Sequence, residues 1–146
     1  MNYLDIALEA TDGNIYKLSD FKGQKIVLYF YPKDNTAGCT LEAKDFTALK
    51  DDFKALGYKV IGVSKDTIRK HHNFIEKQDL NLLLLSDPEQ KLIEAFDVLK
   101  EKKMYGKTFM GVVRSTFVLD EQGTIVHKFL NVKAKNHAEK VLNEIA

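Results

Sequence analysis

Cys39 is the only cysteine in the sequence, and it stands in the stretch Phe30-Tyr31-Pro32-Lys33-Asp34-Asn35-Thr36-Ala37-Gly38-Cys39-Thr40-Leu41-Glu42. A cysteine acts as nucleophile and redox centre through its thiolate, so what matters is whether its surroundings favour that form. Lys25 to Tyr31 is an apolar run suited to a buried strand, and Phe46, Leu49, Phe53 and Leu56 recur at helical spacing. Pro32 to Gly38 is therefore the turn between strand and helix, which puts Cys39 in or beside the first helical turn. Unpaired N–H groups and the positive end of the macrodipole gather there, and both stabilise a thiolate. Thr36, three residues earlier, offers a hydroxyl that donates and accepts, while Glu42, three residues later, shares the helical face of Cys39. Plainer readings stand beside these: an inert core cysteine, and a threonine that serves only as N-cap.

Arg114 is the second informative residue. Arg69 and Arg114 are the only arginines among 22 basic side chains. Arg69, next to Lys70, reads as a solvated surface residue. Arg114 lies inside Val112-Val113-Arg114-Ser115-Thr116-Phe117-Val118, which reads as a buried strand. An unpaired charge there is costly, so the guanidinium is expected to face a carboxylate, a thiolate or the mouth of a pocket. Its fixed charge is suited to stabilising the Cys39 thiolate and to binding a polar oxygen substrate through paired donors. The structural alternative is a rim arginine whose stem covers the sheet edge.

The elements that must position these residues alternate. Ile6 to Leu18, broken by Asp12-Gly13, predicts an N-terminal β-hairpin. Lys25–Tyr31 is the first core strand; the helix after Cys39 runs to about Gly57, and Tyr58–Ser64 is the next strand, which makes a right-handed βαβ unit. A helix over Thr67–Gln78 with Ile68, Phe74 and Ile75 inward precedes a buried strand at Asn81–Leu85. Ser86-Asp87-Pro88-Glu89 reads as the start of a short helix with proline at its first position. Leu99 to Lys107, rich in lysine, reads as a solvated loop; strands at Val112–Leu119 and Thr124–Leu130 then form a hairpin around Asp120-Glu121-Gln122-Gly123. Ala138, Val141, Leu142 and Ile145 place a last amphipathic helix on the sheet. A βαβ half, a β-hairpin and a C-terminal helix, with cysteine at the start of the first long helix, resemble the thioredoxin fold: α/β, with a central mixed sheet flanked by helices.

Bulk properties narrow the function classes. The 146 residues, 45% hydrophobic, with nine phenylalanines and six tyrosines, suit one domain over residues 1–146. A formal charge of +1 gives no sign of a nucleic-acid or membrane-surface partner. No signal-peptide pattern opens the sequence, and no apolar run approaches the roughly 18 residues of a membrane span. The expectation is a cytoplasmic protein, monomeric or a weak homodimer. A lone cysteine agrees with a reducing compartment and excludes an internal disulfide.

Pro32, Thr36 and Cys39 at these intervals, followed by Thr40, Glu42 and a distant Arg114, resemble the active-site signature of the peroxiredoxins. Tyr31-Pro32-Lys33-Asp34-Asn35-Thr36-Ala37-Gly38-Cys39-Thr40-Leu41-Glu42 is similar to the bacterioferritin comigratory protein, or peroxiredoxin Q, branch, and the resemblance extends through Leu18–Gly23 and Arg114–Phe117 over nearly the whole chain. It implies a thiol-specific peroxidase that reduces hydrogen peroxide and organic hydroperoxides, with no cofactor and no metal. In that reading Cys39 is the peroxidatic cysteine, Thr36 and Arg114 activate the peroxide, Pro32 shields the pocket, and Glu42 orients Arg114, with Gly38 and Thr40 completing the motif. Two departures stand out. Ala37 replaces the proline common in this branch, and Lys44 occupies the position where many relatives carry a resolving cysteine. The Cys39 sulfenic acid must then be resolved from outside, by thioredoxin, by glutaredoxin with glutathione, by a small thiol, or by Cys39 of a second molecule.

Three other functions compete. A thioredoxin-type thiol-disulfide oxidoreductase needs a second cysteine, whereas Thr40, Leu41 and Glu42 follow Cys39. A binding module with a vestigial cysteine does not account for Thr36, Cys39 and Arg114 together. Metal binding by His71, His72, His127 or His137 meets unsuitable spacing, and surface histidines are the ordinary reading.

Overall fold

The structure is a computed structural model that describes residues 2–146. Its centre is β3 (Lys25–Phe30), flanked in parallel by β4 (Tyr58–Ser64) and antiparallel by β8 (Ser115–Leu119). The full sheet has seven strands in the order β2-β1-β5-β4-β3-β8-β9, with β1 (Leu8–Ala10), β2 (Ile15–Tyr16), β5 (Leu83–Ser86) and β9 (Ile125–Phe129) completing it. Among the described residues four α-helices accompany it: α1 (Ala37–Ala55), α2 (Ile68–Gln78), α3 (Lys91–Ala95) and α4 (His137–Ile145).

The two-residue period of β3 divides the core. Ile26, Leu28 and Phe30 join Ile61, Val63, Leu85, Phe117 and Leu119, covered by Leu92 and Ile93 of α3 and by Ile6, Leu8 and Leu18 from the N-terminal segment. Val27 and Tyr29, with Tyr31 just beyond, face the other way, onto Cys39, Ala43, Phe46 and Phe53 of α1, Phe74 of α2, and Ala138 and Val141 of α4. Each fully buried ring or branched chain contributes about 2–3 kcal/mol of burial, enough to fix both faces. α1 ends where Gly57 turns to φ 89° and its N–H meets the Lys54 carbonyl at 2.9 Å, a conformation glycine takes without strain. The N-terminal hairpin forms as expected, with Gly13 at φ 88° in its turn.

Four expectations need correction. Leu99–Lys107 is not a loop: β6 (Leu99–Met104) and β7 (Lys107–Val112) form a separate two-stranded sheet around Tyr105-Gly106, both at positive φ as a tight hairpin requires. The charged run Lys100-Glu101-Lys102-Lys103 on a largely exposed ribbon leaves no apolar period to read. Arg114 is not inside a strand but in the two-residue link between β7 and β8. The helix expected from Ser86 begins at Lys91 instead; Ser86 ends β5, and Asp87 reaches across the turn to accept from the N–H groups of Lys91 and Ile93 at 2.9 Å. Lastly, His71 and His137 are buried at 0% and 3% exposure, not on the surface.

Candidate active site

β3 is covered on both faces and delivers the chain at Tyr31 to a turn that spans the end of the sheet, after which α1 starts. Pro32 is half-buried, Thr36 is exposed, and Cys39, in the first turn of α1, is 1% exposed. The Thr36 hydroxyl does not cap α1; it donates to the Lys33 carbonyl at 3.0 Å, so its free lone pairs remain acceptors. The first helical bond runs from Thr40 N–H to the Thr36 carbonyl at 2.9 Å. Ahead of it, the N–H groups of Ala37, Gly38 and Cys39 find no acceptor among the described residues, as expected at a helix start.

Arg114 reaches this place from the β7–β8 link. Its Nη2 lies 3.4 Å from Cys39 Sγ, and its Nη1 donates to Glu42 Oε1 at 2.6 Å. Burial disfavours its charge, but the charges of Glu42 and Cys39 outweigh that and push its pKa up. Glu42 is fully buried on α1, one turn beyond Cys39; burial pushes its carboxyl up to about 7, with the Arg114 guanidinium restraining the rise. Gly38 explains how the guanidinium comes so near: a Cβ there would stand 3.1 Å from Arg114 Nη2. Thr40 is half-buried beside Cys39, and Lys44 is exposed further along α1.

Behind this group lie Thr116, Asp34 and Asp66, to which sequence pattern assigns no role, and His137 and His71, expected from the sequence to be surface histidines. Thr116 Oγ1 and His137 Nε2 are 2.7 Å apart, and His137 Nε2 is 4.0 Å from Glu42 Oε2, an atom with no hydrogen-bond partner among the described residues. Burial, with Arg114 and Lys140 nearby, pushes His137 down to about 4, so its imidazole is neutral at ordinary pH. A second buried cluster, of Asp34, Asp66 and His71, brings one potential metal-ligand atom from each residue within 4.8 Å of the others. Hydrogen bonds within the protein already engage each of these side chains. The signal for both histidines was helical phase: His71 is three residues from Ile68 and Phe74, and His137 four from Val141, on the apolar faces of α2 and α4.

The AhpC/TSA family pattern matches residues 2–128. The chain belongs to the AhpC/TSA family. Peroxiredoxin Bcp of Bacillus subtilis is 49% identical over 141 residues, which cover 97% of this chain and 90% of that protein. Peroxiredoxin Q of Xanthomonas campestris superposes with a TM-score of 0.93 at 43% identity, covering 98% of this chain and 90% of that one. A second structure, of the bacterioferritin comigratory protein of the same organism, described for its alkyl peroxide reduction activity, agrees equally well, with a TM-score of 0.93 at 43% identity and coverage of 98% and 91%. This peroxiredoxin has a single cysteine. No helix among the described residues is long and apolar enough to cross a membrane.

Proposed function

We propose that this peroxiredoxin domain, residues 1–146, reduces hydrogen peroxide and organic hydroperoxides in the cytoplasm through a Cys39 sulfenic acid that an external thiol resolves. The observation that carries the reading is Arg114, held by Glu42 on one side and 3.4 Å from Cys39 Sγ on the other. The Cys39 thiolate, facing the guanidinium from the first turn of α1, attacks the nearer peroxide oxygen. A peroxide O–H donates to the Thr36 lone pairs, while Arg114 and the free N–H groups of α1 donate to the peroxide oxygens and take up charge on the departing one. The O–O bond breaks, Cys39 gains the hydroxyl as sulfenic acid, and the leaving oxygen departs as water or alcohol after protonation. Pro32, with no N–H, covers the pocket without adding a competing donor. Gly38 leaves room for the guanidinium, and Thr40 closes the first helical turn.

The sulfenic acid condenses with an external thiol, releasing water and forming a mixed disulfide. A second thiol displaces Cys39 as thiolate and carries the disulfide away. Thioredoxin, glutaredoxin with glutathione, a small thiol, and Cys39 of a second chain all fit this step, and the chain works as a monomer or weak homodimer.

The test is hydroperoxide oxidation of Cys39 in wild type, Arg114→Lys and Arg114→Ala. Lysine keeps the charge but loses the planar fork; the rate is expected to fall about tenfold or more with lysine and further with alanine, a loss on the order of 1.4 kcal/mol per decade. Equal rates in all three proteins would remove Arg114 from the mechanism.

A further inference from the structure

The buried cluster at the ends of β3, β4 and β5 converges on one residue of the catalytic turn, Asp34. Its Oδ1 accepts from Tyr31 Oη at 2.6 Å, its Oδ2 lies 2.7 Å from His71 Nδ1, and its backbone N–H donates to Asp66 Oδ2 at 2.8 Å. Asp66 is fixed in turn by Ser64, whose hydroxyl donates to the same oxygen at 2.6 Å, and by Ser86, whose hydroxyl donates to the Asp66 carbonyl at 2.6 Å. His71 Nε2 meets the Leu85 carbonyl at 2.8 Å; a carbonyl only accepts, so that nitrogen carries a hydrogen. Burial pushes the Tyr31 hydroxyl well up, aided by Tyr29 and Asp34, so it stays protonated and donating.

Besides this clamp, the turn is held by the Thr36 hydroxyl on the Lys33 carbonyl at 3.0 Å. Lys33, Asn35, Thr36 and Ala37 are exposed, and Asn35 adopts a left-handed φ of 61°. Gln78, in the last turn of α2, gives Asn35 Oδ1 a second link to that helix at 3.3 Å. Asp34 lies between Pro32 and Thr36, and the turn runs directly into the helix that holds Cys39. The clamp on Asp34 comes from Tyr31 just past β3, Asp66 just past β4 and His71 on α2, and none of its hydrogen bonds goes to Cys39, whose Sγ meets Arg114 instead.

We propose that His71 is a positioning residue for the peroxide step: through Asp34 it sets the turn that presents Pro32, Thr36 and the N-terminus of α1 to the substrate. The proposal rests on the peroxidase reading above. A shift of about 1 Å in such a group costs up to a hundredfold in rate, so the effect is open to kinetics. The two hydrogen bonds of His71 are separable. An asparagine amide falls near the place of Nδ1 and keeps the bond to Asp34, while a glutamine amide falls near Nε2 and keeps only the bond to Leu85. Tyr31→Phe removes the other bond to Asp34 with almost no change of shape.

The experiment measures, for wild type, His71→Asn, His71→Gln and Tyr31→Phe, the single-turnover oxidation of Cys39 by hydrogen peroxide and by cumene hydroperoxide, alkylation of Cys39 by iodoacetamide, and the urea midpoint. Alkylation needs an accessible thiolate but not the hydrogen bonds of Thr36 and the α1 N–H groups to the peroxide oxygens. The expected result is a fall of about tenfold or more in peroxide oxidation for His71→Gln, a smaller fall for Tyr31→Phe, substantial recovery in His71→Asn, and alkylation within about twofold of wild type throughout. The proposal is overturned if asparagine and glutamine act alike, if oxidation is unchanged, or if oxidation and alkylation fall together with the urea midpoint. If wild type itself is not oxidised, the peroxidase reading fails and takes this proposal with it; oxidation of wild type with any of the other contrary outcomes defeats the proposal alone.

Discussion

At Glu42 and His137 one environment acts on two groups in opposite directions. Burial pushes the carboxyl up to about 7 and the imidazole down to about 4, from ordinary values of 4.5 and 6.5. Between pH 4.5 and 6.5, the unfolded chain carries a proton on His137 and the folded chain carries it on Glu42. The proton counts are equal, so the pair contributes almost no slope to stability there. Each alone would contribute one. Glu42, with a raised pKa, contributes stability below its unfolded value that is lost as pH rises through about 7; His137, with a depressed one, contributes stability above its unfolded value that is lost as pH falls through about 4. Glu42→Gln removes only the first. Relative to wild type it should gain stability as pH rises from 4.5 to about 7, by up to about 3 kcal/mol in principle. Urea midpoints of both proteins across that range check this, and a constant difference would contradict it. Gly38 provides a second test on this scale. Gly38→Ala places a Cβ 3.1 Å from Arg114 Nη2 while improving helix propensity by up to about 1 kcal/mol. Peroxide oxidation should slow severalfold with stability unchanged or slightly raised; a loss of both would mean the helix start itself is disturbed.

Among the elements, β4 shows how closely the sheet is fitted to the site. Gly62 has no room for a side chain: a Cβ would stand 2.7 Å from Leu84 Cδ2 and from Tyr29 Cζ. That space admits the Tyr29 ring, which stacks on Phe46 of α1 at 4.6 Å and on Tyr31 at 5.4 Å. Gly62→Ala should therefore destabilise by about 1–3 kcal/mol through overpacking. Since Tyr29 supports the helix that bears Cys39, peroxide oxidation should fall with it; a urea midpoint equal to that of wild type would contradict this packing. The same elements show what a sequence can reveal. β3, β4 and α1 were legible because apolar residues repeat with the period of the element and glycine marks the stop. β6 and β7 were not: β6 carries four charges in six residues and β7 is exposed at four of its six positions, so neither shows an apolar period. Arg114 was identified by chemistry but misplaced by two residues of link, since the apolar run continues through the break. Asp34, Asp66 and His71 stayed hidden for another reason: their meaning lies in hydrogen bonds between residues 32 and 37 positions apart, which local pattern does not carry.

For the molecule as a whole, one chain brings the proposed catalytic groups together but holds a single thiol. Cys39, Arg114 and Glu42 come together from α1 and the β7–β8 link on the helix-rich side of the sheet, and the only sulfur able to change oxidation state as a thiol is the one attacked. On the proposed mechanism, oxidation of Cys39 needs only the peroxide, and its reduction needs an external thiol. The most direct measurement is hydroperoxide consumption by wild type and Cys39→Ser, first without reductant and then with thioredoxin, glutathione or dithiothreitol in parallel. Wild type should consume about one equivalent of peroxide per chain and stop, then turn over when a competent thiol is added, while Cys39→Ser stays inert throughout. Sustained turnover without added thiol, or consumption by Cys39→Ser, would contradict the central claim.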